Sequence, residues 1–79
     1  MTRELMTAID LAIEGQWDAS HRIVQQRDDR TAAWIHAVLH KIEGDSGNSR
    51  YWYVRAEKVE CADREPLAEL REIRASLAD

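Results

Sequence analysis

The chain is poor in the residues that usually reinforce a small protein. Its 79 residues include one cysteine, one proline, three glycines and no phenylalanine. A single thiol, Cys61, cannot form an intrachain disulfide and cannot supply the several thiolates of a Cys-rich structural zinc site. A domain this short must therefore hold itself by packing, with dimer formation as the available supplement. No apolar run approaches the roughly 18–20 residues needed to cross a bilayer, so no membrane is expected. No charged-then-apolar leader precedes the first helix, and the unpaired thiol suits a reducing compartment, so the expected location is cytoplasmic. The net charge of −4 argues against general affinity for nucleic acid. Alternation at period two never lasts, which leaves no signal for a strand.

What remains is helical patterning. Leu5, Met6, Ile9, Ala12 and Ile13 recur at spacings of three and four, predicting a helix over 3–14 that Thr2 can cap and Gly15 can close. A second helix is expected over about 17–27, with Trp17, Ser20, Ile23 and Val24 on one side. Asp29 can cap a third, over 30–43, whose Trp34, Val38, Ile42, Ile35, Leu39 and Ala32 cover about 160° of arc. So broad an apolar face belongs in the middle of a fold. Gly44 ends this helix, and Asp45-Ser46-Gly47-Asn48 turns into a fourth over 47–59, with Ser49, Trp52, Tyr53, Ala56 and Val59 facing inward. Pro66 suits the first turn of a last helix over 66–78, whose stripe is Leu67, Leu70, Ile73 or Arg74, and Leu77. The expected class is all-α, one domain over 1–79.

Two segments repeat. Ile13-Glu14-Gly15 returns as Ile42-Glu43-Gly44, an offset of 44 − 15 = 29 that also lays Ala8 on Ala37 and Ser20 on Ser49. With a small residue in the first helix, a glycine turn, and Ser49-x₃-Tyr53 then Ala56 in the second, this pattern resembles the tetratricopeptide family. The first hairpin carries it through Ala8, Gly15, Trp17, Ser20 and Val24. The family's tryptophan position corresponds to Ala33, whereas the indole here is Trp34. Its proline position falls near Cys61 rather than at Pro66, and the offset is shorter than the family's repeat of about 34 residues. The Trp34-Ile-His, Glu43-Gly-Asp and Tyr51-Trp-Tyr blocks also resemble segments of small bacterial proteins, a likeness that implies no activity. The family resemblance implies five helices arranged as two hairpins (about 3–27 and 30–59) with a closing helix over 66–78. It also implies a role in protein–protein contact.

Three sets of residues could carry function. His36, His40 and Glu43, at spacings of four and three, share one strip of the third helix and could hold a divalent metal such as zinc. That would make the chain a metal-binding protein or a small metal-dependent hydrolase. Glutamate does not follow the first histidine directly, since Ala37 stands there, so the thermolysin-type zinc motif is excluded. Asp45 and His21 are the further donors within reach. The alternative is that His36 and His40 are packing residues bonded to Tyr53, Ser49 or backbone, with no cofactor at all, and this is the first expectation. The second set is the strip Asn48, Tyr51, Arg55 and Lys58, where a guanidinium beside an aromatic ring can hold a carboxylate on a protein partner or a second copy. The third is Trp34, which lies at the edge of the apolar arc. With Leu5 and Ile9 exposed, it would line a groove; otherwise it fills the core. No nucleophilic catalytic set is present, because acidic neighbours make Cys61 a poor thiolate. The expected function is a small adaptor or homodimer that binds protein through Trp34, Tyr51 and Arg55.

Overall fold

The structure is a computed structural model and describes residues 2–78. Five α-helices follow one another: α1 (Thr2–Ile13), α2 (Trp17–Val24), α3 (Arg30–Glu43), α4 (Ser46–Ala56) and α5 (Pro66–Ala78), with a 3₁₀ turn at Val59–Cys61. Among the described residues there is no strand, and no helix is long and apolar enough to cross a membrane. α1 packs on α2 and α3 on α4 as two antiparallel hairpins, and α5 closes the bundle against α1 and α3.

The two hairpins share their turn bonds and their bond between helices, and differ in that Asp45 caps α4 whereas Gln16 makes no side-chain cap for α2. Gly15 and Gly44 both take the left-handed conformation, with φ of 84° and 88°. A residue with a side chain is strained there, which is why glycine stands at both turns. In each turn the glycine N–H and the following N–H reach back to helix carbonyls: Gly15 to Ala12 and Gln16 to Leu11, then Gly44 to Lys41 and Asp45 to His40. In each hairpin a buried serine on the second helix donates to the carbonyl of the small residue on the first. Ser20 Oγ bonds Ala8 O at 2.7 Å, and Ser49 Oγ bonds Ala37 O at 2.8 Å. Alanine at 8 and 37 lets the helices approach closely enough for that bond to form. Ser20→Ala and Ser49→Ala should each cost about 1 kcal/mol, the net worth of one buried hydrogen bond. Urea unfolding will test whether the two losses agree; losses differing severalfold would mean that the hairpins are not energetically equivalent.

Local chemistry accounts for most boundaries. Asp29 accepts from the Ala32 N–H at 3.1 Å and Asp45 from the Asn48 N–H at 3.2 Å, capping α3 and α4. Thr2 lies inside α1 rather than before it. Two ends fall short of the sequence expectation. α2 stops at Val24 and not at 27, as the chain tightens into successive turns and Arg27 pairs with Glu4 and Asp29. α4 stops at Ala56 and not at 59, because Glu57 takes a left-handed φ of 59° that no glycine announces. Val59 is consequently exposed rather than inward-facing.

α3 is central, as expected, but its burial runs almost all round. Every residue from Ala32 to His40 is buried, including His36 and His40, whereas Ile42, at the middle of the apolar arc but in the last turn of the helix, is exposed. In α5 the buried residues are Leu70, Ile73 and, without any exposure, Glu69; Leu67 is 37% exposed. The Glu69 carboxylate accepts from Trp34 Nε1 at 2.7 Å, from the Tyr53 hydroxyl at 2.8 Å and from Lys41 Nζ at 2.8 Å. Lys41 Nζ also donates to the carbonyls of Cys61, Ala62 and Arg64, so one ammonium ties the 3₁₀ segment to α3 and α5. Burial, then the Glu69 carboxylate, push the Tyr53 phenol well above its ordinary range and keep it a donor.

Candidate functional site

The chain's three histidines come together. His21 stands on α2, and His36 and His40 stand one turn apart on α3, where the i, i+4 spacing stacks their rings at 5.0 Å. His21 meets both edge-on, at 4.6 Å and 5.5 Å between ring centres. Its Nε2 lies 3.0 Å from His36 Nε2, so one of these nitrogens carries the proton and the other the lone pair. One ring nitrogen from each histidine falls within 4.8 Å of the other two. Two tryptophans cover the flanks. Trp17 stacks on His21 at 4.6 Å, and Trp52 of α4 stacks on His36 at 4.0 Å. Trp17 is fixed in turn by its Nε1–H, which donates to the Leu39 carbonyl at 2.6 Å.

Neither buried histidine bonds where the sequence expectation put it. Ser49 is taken by the Ala37 carbonyl and Tyr53 by Glu69, so His36 turns to His21, and His40 Nδ1 turns to Glu43 Oε1 at 2.9 Å. The remaining nitrogen of His36, Nδ1, is buried and has no hydrogen-bond partner among the described residues. Burial, then the charges of His21 and His40, lower the His36 pKa to about 4. Burial and His40 lower that of His21, against the pull of Glu43 and Asp18. At neutral pH the His36 and His21 rings are neutral, each with one lone pair, and one of those lone pairs accepts the bond between them.

Glu43 is placed behind His40 and does not join the three rings. It belongs to a second group, His40, Glu43 and Asp45, of similar spread but with both carboxylates exposed. Asp45 is otherwise engaged, its two oxygens accepting from the Asn48 backbone and side-chain amides. His21 was legible in the sequence only as a donor within reach. What makes it a member is the packing of α2 across α3.

The strip on α4 divides. Tyr51 and Arg55 stay together and exposed: Arg55 Nη1 donates to the Tyr51 hydroxyl at 3.2 Å, and the guanidinium lies 5.8 Å from the Tyr51 ring and 5.3 Å from that of Trp52. Asn48 belongs to the helix start through its bond to Asp45. Lys58, beyond the end of α4, lies 4.5 Å over the Trp34 ring. Trp34 is not an exposed anchor: it is 8% exposed, its indole N–H is held by Glu69, and Leu5 and Ile9 are buried, so these three line no open groove. Closure of α5 over α1 and α3 accounts for this. Cys61 is buried, and burial with Glu69 and Glu60 nearby pushes its thiol pKa up, in keeping with an unreactive thiol.

Comparison with protein-family models, with curated proteins and with solved structures finds no match for this chain.

Proposed function

We propose that this domain is a small protein-interaction module of tetratricopeptide-like type, and that Tyr51, Trp52 and Arg55 on α4 receive an acidic segment of its partner. The observation that carries this reading is the state of Arg55. Its guanidinium is exposed, laid over two aromatic rings and steadied by the Tyr51 hydroxyl. Arg27, Arg30, Arg64 and Arg74 each pair with a carboxylate; of the arginines that form no ion pair among the described residues, Arg55 is the one laid over aromatic rings. A guanidinium already ordered by stacking loses less entropy on binding, and its fork matches a carboxylate in two parallel bonds. Tyrosine, tryptophan and arginine are also the side chains that dominate binding energy at protein interfaces. The repeated hairpin supports the same reading, since stacked helical hairpins present fixed side chains along one rigid face.

The test is quantitative capture with wild type against Arg55→Glu and Tyr51→Ala, neither of which touches the buried core. A partner enriched by wild type should be depleted tenfold or more by Arg55→Glu, a loss of about 1.4 kcal/mol or more. Partners retained unchanged by both variants would remove this surface from consideration. Sedimentation of the purified chain would show whether a second copy competes for it.

A further inference from the structure

We propose that His21, His36 and His40 form a mononuclear site for a divalent transition-metal ion that favours nitrogen ligands, zinc(II) being the reference ion, with Glu43 orienting His40 from behind. The proposal does not depend on the partner surface.

The geometry comes first. Zinc–imidazole bonds of about 2.0–2.1 Å in a tetrahedron put the ligand nitrogens about 3.3 Å apart. His21 Nε2 and His36 Nε2 already stand at 3.0 Å, and the whole set fits within 4.8 Å. The longest edge therefore has to close by about 1.5 Å at most to reach tetrahedral spacing, within the reach of small side-chain rotations. The protein supplies three ligands, and the fourth position is left for water or an anion, the usual form of a three-histidine site.

The second argument is the fate of the lone pairs. Three imidazoles with His36 and His40 buried are expensive unless their nitrogens are satisfied. Among the rings only one hydrogen bond forms, between the Nε2 atoms of His21 and His36, so within the cluster only one of the three lone pairs is satisfied. A cation shared by the three lone pairs would turn this costly arrangement into a favourable one. Third, Glu43 accepts the Nδ1–H of His40, which leaves Nε2 as that ring's lone-pair nitrogen. A carboxylate holding the far nitrogen of a histidine is the outer-shell arrangement that fixes tautomer and orientation in histidine–metal sites. Trp17 and Trp52, stacked on His21 and His36, supply the apolar wall that such sites use to restrict water.

The donor set names the class of ion. Neutral imidazoles with no thiolate or ligating carboxylate select zinc, copper(II), nickel or cobalt over magnesium and calcium, which require oxygen. The group His40, Glu43 and Asp45 competes for the same histidine, and the experiment separates the two. Tag-free, metal-free protein is titrated with zinc chloride by calorimetry and with cobalt(II) by visible absorption. Tryptophan emission is followed in parallel, because two of the chain's three indoles stack on ligand rings.

The expected result is one zinc per chain at micromolar affinity or better, with the cobalt form showing the intense bands of a tetrahedral site. His21→Ala, at the half-buried ligand, should weaken zinc at least tenfold, and Glu43→Gln by about tenfold as an outer-shell change. Asp45→Asn and magnesium in place of zinc should give wild-type affinity and no binding respectively. No saturable binding at submillimolar zinc, or unchanged affinity in His21→Ala, overturns the proposal. So does loss of affinity in a folded Asp45→Asn, which would assign the ion to the other group. Should His21→Ala fail to fold, two-bond ¹H–¹⁵N spectra of the wild-type histidine rings decide the matter. Zinc must shift the ring nitrogens of all three residues, and any ring left unmoved would refute the site.

Discussion

Replacing Glu69 by alanine should destabilise the fold by about 3–5 kcal/mol, the usual cost of removing one partner from a buried, hydrogen-bonded charge pair. The residue is wholly buried, and its two oxygens receive Trp34, Tyr53 and Lys41. Alanine leaves an ammonium without its counter-charge and two aromatic donors without acceptors, all inside the contact between α5 and the rest. A chain of this size has a total stability of about 4–12 kcal/mol, so the variant should sit near the edge of folding. Glu69→Gln keeps the shape and one acceptor oxygen but removes the charge, and should lose roughly half as much. Urea unfolding monitored by far-ultraviolet circular dichroism checks both. A loss of under about 1 kcal/mol in Glu69→Ala would show that α5 is held by Leu70 and Ile73 alone and that the polar cluster is incidental.

Acid should weaken the metal-free protein through the histidine cluster before it touches the carboxylates. His36 has a folded pKa of about 4 against an ordinary value of 6.5, because burial disfavours its cation and His21 and His40 stand close by. A group whose folded pKa is lowered binds its proton more readily in the unfolded chain. Its contribution is therefore complete above pH 6.5 and is lost as pH falls toward 4. The loss is of the order of 2–3 kcal/mol, and His21, shifted the same way, adds to it. Glu65 and Asp29, held low by backbone amides (Asp29 against its own burial), lose their contributions only from their ordinary values of 4.5 and 3.8 downward, so the upper part of the window, between 6.5 and the carboxylate range, isolates the imidazoles. Urea midpoints across that window should fall steeply for wild type and much less for His36→Gln. Parallel profiles would show that His36 does not govern the acid response.

These two sites differ in how far the sequence foretold them. Of the histidine cluster, His36 and His40 were legible, since a spacing of four sets two side chains on one strip of a helix whatever else the chain does. Glu43 was legible as their neighbour, but its part was not. Whether a carboxylate three residues on joins the ring nitrogens or stands behind one of them depends on a rotamer, and no spacing fixes that. His21 lies on a different helix, and only the packing of α2 across α3 brings its Nε2 to 3.0 Å from His36. Glu69 was passed over although its spacing of four from Ile73 puts it on the buried stripe of α5. A carboxylate is ordinarily assigned to solvent, and its donors sit 35, 28 and 16 residues earlier in the chain.

The sequence by itself determined the all-α class, the five helices, and the two glycine turns at Gly15 and Gly44. Those are short-range matters of periodicity, caps and conformational freedom, each settled within a few residues. Which polar groups would be buried, and on what, was decided only by tertiary structure. Trp34 reads from its own helix as a residue at the edge of an apolar arc, and it became core because α5 closed over it with a carboxylate in position for its indole nitrogen. His36 became a cluster member because the neighbouring hairpin supplied a third ring. Burial is a property of the elements laid over a residue, and the residue's own neighbours in the chain do not encode which elements those will be.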